Sequence, residues 1–290
     1  MGSRGGTGSA PVWRGSLGAA AVAIGTAFAS LPALAAGIGK PEPWQIAMQE
    51  PVTPIARELH GFHTELMWIV TAITLFVLAL LVICVVRFNE KANPTPSKTS
   101  HNTAIEIAWT IVPVLILVLI AIPSFRLLRN QLIIPKADIT IKTIGHAWYW
   151  EYEYPADQGG GFKFDANLIE EKDLKPGQLR LLETDNEVVV PVNKVVRVQV
   201  TSADVLHSFA MPSFGIKMDA VPGRLNETWF KAEREGTYHG QCSELCGQRH
   251  AFMPITIRVV SDQAYAAWIA EAKTKFASTD DGSRRLADAR

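Results

Sequence analysis

Two uncharged apolar runs, Leu66 to Val86 and Ile107 to Phe125, constrain this chain more than anything else in it. At about 1.5 Å per residue the first run, twenty-one residues long, is enough to cross the ~30 Å hydrocarbon core of a bilayer. The second is interrupted by Pro113 and bounded by Pro123. Between them lies a short polar loop carrying Arg87, Lys91 and Lys98 amid Asn, Pro, Thr and Ser. Such a pair predicts a membrane α-helical hairpin over residues 66–128. It also explains a mean hydropathy of +0.12, high for a soluble protein.

The ends of the chain orient the hairpin. Residues 1–35 carry Arg4 and Arg14, an apolar run from Leu17 to Leu34 and the small-residue pattern Ala33-Leu34-Ala35, which reads as a secretory signal peptide cut after Ala35. Residues 36–65 are polar and punctuated by Pro41, Pro43, Pro51 and Pro54, an external N-terminal segment. Counting Lys and Arg does not orient the spans: Arg87, Lys91 and Lys98 lie between them, while Arg126, Arg129, Lys136 and Lys142 follow the second. The signal peptide therefore decides, placing both termini on the periplasmic side of a bacterial inner membrane.

From Ile139 the apolar period changes from helical to two. ITIKTIGHAWYWEYEY, LRLLE, EVVVPV, VVRVQV, ETWFKA and PITIRVV are short, rich in Val, Ile and aromatics, and separated by Gly, Pro, Asp or Asn. Many short strands at close spacing predict an all-β sandwich or barrel over residues 129–260. Ser261-Asp262 followed by AYAAWIAEAKTKF predicts a capped helix, and residues 261–290 as a whole read as that helix plus a loose charged tail. Charge is balanced, with 28 Lys and Arg against 28 Asp and Glu, so nothing points to a nucleic-acid partner.

The chemistry concentrates in Tyr238 to Met253, YHGQCSELCGQRHAFM, which offers Cys242, Cys246, His250 and Met253. Two cysteines four apart could make a disulfide, half a zinc site or a copper site. Zinc seldom takes a thioether, whereas Cys, His and a weak Met together suit copper electron transfer. A single blue copper needs one Cys, so the second is surplus unless two coppers share both thiolates. Two coppers need one more His, for which His207 in ADVLHSFAMPSFG is the best candidate, and one more oxygen, for which the backbone carbonyl of Glu244 is placed. Cys84 stands alone in an apolar run, and no CxxCH motif for covalent haem is present.

The strings GQCSELCGQRHAFMP, DVLHSF and GHAWYWEYEYP closely resemble subunit II of the haem-copper cytochrome c oxidases, over about residues 50 to 275. The resemblance implies a cupredoxin-like sandwich and a dinuclear copper centre, CuA, held by His207, Cys242, Glu244 through its carbonyl, Cys246, His250 and Met253. It implies that Trp148 receives the electron from cytochrome c, and that Glu153, Asp157, Asp185 and Asp204 form an acidic face for that basic partner. Glu106, at the start of the second span, becomes the mouth of a proton-uptake path. The Glu244 carboxylate could hold magnesium or manganese shared with subunit I. Haem would belong only to a partner chain; subunits I and III and membrane lipid complete the expected surroundings. His146 and His239 are rival imidazoles with structural roles expected of them. Rival readings are a copper-less quinol oxidase subunit II, the CuA subunit of a nitric or nitrous oxide reductase, and a copper carrier that would release its metal readily.

Overall fold

The computed structural model describes residues 38–276. The expected signal peptide, residues 1–35, and the tail beyond Ser278 lie outside the described residues.

Helix α1 runs Pro54–Arg87 and helix α2 Thr103–Leu132. Their starts are set by chemistry the sequence spells out. The Thr53 side chain accepts a hydrogen bond from Ala56 N ahead of Pro54 at the first helical position, and the Asn102 side chain accepts from Ala104 N and Ile105 N. The apolar run of α1 is thus the later part of a longer helix, whose first turns carry Arg57, Glu58, His60, His63 and Glu65. Pro113 and Pro123 both lie inside α2, so Pro123 does not end it. Each proline removes one backbone hydrogen bond, a loss a long apolar helix absorbs. Side chains from Met67 to Val86 and from Ile107 to Phe125 are largely exposed, an apolar surface with no protein cover among the described residues. Asn130 donates to Glu58 across the two helices at 2.8 Å.

Ten strands follow and pair into two five-stranded sheets. The first has the order β3-β2-β1-β5-β8, with β1 Ile139–His146, β2 Tyr149–Tyr154, β3 Phe162–Ala166, β5 Val196–Ser202 and β8 Asn226–Phe230. The second has the order β4-β10-β9-β6-β7, with β4 Val188–Pro191, β6 His207–Met211, β7 Ile216–Ala220, β9 Gly236–Cys242 and β10 Pro254–Val260. Side chains alternate as strand geometry requires: Trp150, Tyr152 and Tyr154 on β2 are buried between half-buried neighbours, and so are Val196, Val198 and Val200 on β5. They face Phe209, Met211, Tyr238, Ile255 and Ile257 of the second sheet across one core.

Three local readings change. GHAWYWEYEY is a hairpin rather than one strand, with β1 and β2 antiparallel and His146 paired to Tyr149. LRLLE, residues 179–183, forms turns: Leu181 takes a left-handed backbone, and the segment is held to the second sheet by side chains rather than by a strand ladder, with Gln241 Nε2 donating to Leu181 O and Thr256 Oγ1 to Leu182 O. β6 and β9, which carry His207 and Cys242, hold too many small and polar residues for the apolar pattern to register. At the far end helix α3, Asp262–Phe276, is capped by Ser261, whose Oγ accepts from Ala264 N at 3.2 Å. It lays Trp268 and Phe276 against Tyr154, Phe162 and Phe164.

Candidate metal centre

Three neighbouring segments build the site. His207 begins β6, Cys242 ends β9, and the loop from Ser243 to Met253 turns back over them into β10. β6 and β9 are antiparallel neighbours with Phe209 opposite Cys242, which fixes the first imidazole and the first thiol side by side. Gly247, in a left-handed conformation that favours glycine, lets the loop turn beneath the Trp148 ring.

The thiols of Cys242 and Cys246 are not bonded to each other; their sulfurs stand 3.9 Å apart. His207 Nδ1 lies 3.9 Å from Cys242 Sγ, and His250 Nδ1 lies 3.4 Å from Cys246 Sγ. Met253 Sδ is 3.6 Å from Cys246 Sγ, and the Glu244 carbonyl oxygen is 3.4 Å from Cys242 Sγ. All six expected ligand residues therefore converge. Two donors at about 2.3 Å from one ion and a tetrahedral angle apart would be separated by roughly 3.7 Å, so these spacings suit metal ligation. The donor set, two thiolates, two imidazoles and a thioether, is soft and suits copper.

Electrostatics make the pair cation-hungry. Burial pushes the Cys242 thiol up, but hydrogen bonds with His207, with the backbone at Glu244 and Ser208, and with His250 outweigh it and bring the thiol below its ordinary value. Burial and the neighbouring Cys242 charge hold Cys246 above its ordinary value. A metal ion held by both sulfurs would take them as thiolates, so its binding would release their protons.

Around the ligands, Trp148 Nε1 donates to Cys246 O at 3.1 Å, and Trp150 Nε1 donates to Met253 O at 3.3 Å. Trp150 is fully buried and meets the His207 ring edge-on at 6.0 Å between centroids. A Cβ on Gly145 would stand 2.8 Å from the His207 ring, so that position has room only for glycine. Asp204 Oδ1 is 2.8 Å from His207 Nε2. The contacts of Trp150 and Gly145 with the site and the ring contact of Asp204 are absent from the sequence reading. For Asp204 a signal exists, an acid three residues before a ligand histidine in a turn; for the other two only the folded neighbourhood reveals it.

The remaining expected residues scatter. Glu106 lies half-buried in the first turn of α2, with its carbonyl accepting from Thr110 Oγ1. Glu153 is paired with Lys142 at 2.9 Å, Asp157 is exposed in a short 3-10 turn after β2, and Asp185 accepts from Asn167 N at 2.7 Å. The Glu244 carboxylate stands 3.9 Å from Lys217 Nζ. His146 stacks on Tyr149, while His239 Nδ1 lies 3.2 Å from the Gly39 carbonyl and its Nε2 lies 3.3 Å from Glu183; neither joins the sulfurs.

A two-helix membrane hairpin carrying a cupredoxin-like sandwich with a thiolate and imidazole site at one end defines a membrane-anchored soft-metal protein. Residues 139–260 match the family described as cytochrome c oxidase subunit II, periplasmic domain, and residues 41–127 match its transmembrane domain. The probable cytochrome c oxidase subunit 2 of Rickettsia bellii is 51% identical over 86% of this chain and 91% of its own length. Cytochrome c oxidase subunit 2 of Cereibacter sphaeroides is 46% identical over 88% of this chain and 89% of its own. The crystal structure of the periplasmic domain of subunit II of cytochrome oxidase of Bradyrhizobium japonicum is 60% identical, covering 50% of this chain and 99% of that one at a TM-score of 0.46. The chain belongs to the cytochrome c oxidase subunit II family, a membrane-bound subunit of an oxidoreductase.

Proposed function

We propose that this chain receives electrons from reduced cytochrome c at a dinuclear copper centre and passes them to haem in subunit I, where oxygen is reduced to water with proton pumping. The observation that carries this reading is the pair of unbonded sulfurs 3.9 Å apart, with one imidazole Nδ1 beside each. His207, Cys242, Cys246, His250, Met253 and the Glu244 carbonyl are the ligands. When bound, two coppers sharing both thiolates spread one electron over two ions and so change little in geometry on reduction.

The chain's own residues keep that frame still. β6 and β9 present His207 and Cys242 from hydrogen-bonded strand ends, and the two indoles hold the loop carbonyls of Cys246 and Met253. Phe209, Met211 and Trp150 close the core side against water. Trp148, half-buried and hydrogen-bonded to Cys246 O, is the point where the electron arrives. Glu153, Asp157, Asp185 and Asp204 supply the negative face that raises the encounter rate with a basic cytochrome. Glu106, at the opposite end of the hairpin, takes up protons for subunit I. The Glu244 carboxylate, on the same residue as a ligand carbonyl, serves a magnesium or manganese ion at the subunit I junction, exchanging its Lys217 contact for that ion. Subunits I and III and lipid cover the exposed apolar helices, and the assembly sits in a bacterial inner membrane with the sandwich outside.

Electron paramagnetic resonance with copper counting on the purified full chain in detergent tests this. Two coppers sharing one unpaired electron are expected; one copper with a four-line pattern, or none, overturns it. Oxygen uptake with reduced cytochrome c by the assembled complex separates the oxidase from a nitrogen-oxide reductase.

A further inference from the structure

We infer that Asp204 is a positioning residue for the metal site: its carboxylate fixes the His207 ring so that Nδ1 faces the sulfurs, and ties that ring to the turn bearing Trp148. The inference rests on the copper reading above and assigns Asp204 work beyond supplying docking charge.

The His207 ring is completely buried and confined by the Trp150 edge and by the Gly145 backbone. What this confinement leaves open is which ring nitrogen points at the sulfurs. Asp204 Oδ1, 2.8 Å from Nε2, decides it. A carboxylate only accepts, so Nε2 carries a hydrogen toward Asp204 and Nδ1 is the nitrogen that faces Cys242 Sγ. A metal ion bound there would take Nδ1, with the Nε2 hydrogen left facing Asp204.

The carboxylate is itself fixed. Oδ1 also accepts from Val205 N at 2.6 Å, and Ser202 Oγ lies 3.4 Å from it; Oδ2 accepts from Ala147 N at 2.7 Å. Ala147 precedes Trp148 in the β1 to β2 turn, so one side chain clamps the ligand and the expected electron gateway together. A group serving only to attract a partner needs none of these bonds. Asp157, exposed on the turn after β2, is the useful contrast.

The test compares Asp204→Asn, Asp204→Ala and Asp157→Asn in the assembled oxidase. Copper resonance spectra and the rate of copper loss to a chelator are read without cytochrome c; the salt dependence of cytochrome c oxidation is read separately. Asp204→Asn matches the size but cannot accept from His207 and Ala147 together. Asp204→Ala removes both contacts. Altered copper spectra, with copper held about 10 to 100-fold more weakly, are expected for both Asp204 variants, the Ala variant being the more severe. Asp157→Asn should keep the parent spectrum. If the Asp204 variants keep the parent spectrum and retention and alter only the salt dependence, Asp204 is a docking charge and the inference is wrong. Where the Ala variant does not assemble, the Asn variant is judged alone by the same outcomes. The parent protein's own spectrum tests the copper reading independently.

Discussion

The hairpin and the sandwich spend the same kind of residue in opposite ways. In α1 and α2 the Leu, Ile and Val side chains face outward: Leu117 is 65% exposed and Phe76 64%. In the sandwich the large apolar side chains are inside, with Trp150, Val196 and Ile255 wholly covered. The hairpin satisfies its backbone within each helix and leaves its apolar side chains without cover from the described residues of this chain. The sandwich must supply its own core, and its close packing then holds ligands to fractions of an ångström. One region is anchored by its medium, the other by itself, and only the second could position a metal without help.

Substitutions should break that contrast unequally. Trp150→Ala empties the sandwich core and frees the Met253 carbonyl, so the chain should lose about 3 to 5 kcal/mol, read from the urea midpoint of the detergent-solubilised protein. Equal stability of the variant would mean the core does not bear on this site. Leu117→Arg puts a charge in the middle of α2 and should cost about 2.5 to 3.5 kcal/mol of membrane insertion, measured as the fraction resisting alkaline extraction. Gly145→Ala crowds the His207 ring; overpacking by about 1 to 3 kcal/mol is expected, together with lower copper content at unchanged expression. Last, Leu225→Arg, on a sandwich residue already 52% exposed, should move stability by less than about 0.5 kcal/mol. A large loss there would show that the sandwich surface, like the hairpin, depends on a cover.

Much of this was legible in the residues. The two spans are visible because runs of about twenty uncharged, mostly apolar residues have few other physical uses. The candidate ligands are visible because Cys242, Cys246, His250 and Met253 are packed into twelve residues of chain, and because the motif resembles a family. LRLLE misled because an apolar run of five specifies no backbone of its own, and Leu181 is drawn into a left-handed turn. β6 and β9 were missed for the opposite reason: strand pairing, not apolar alternation, holds them.

What the sequence determined by itself is the set of donors and the division into a membrane part and a β part, since both follow from residue type and local spacing. What the tertiary structure alone decided is the meeting of His207 with a loop thirty-five residues away, the ring-holding contacts of Asp204, Gly145 and Trp150, and the separation of the two sulfurs. Those depend on which strands become neighbours, and strand neighbours are chosen by the burial of the whole sandwich rather than by any segment of it.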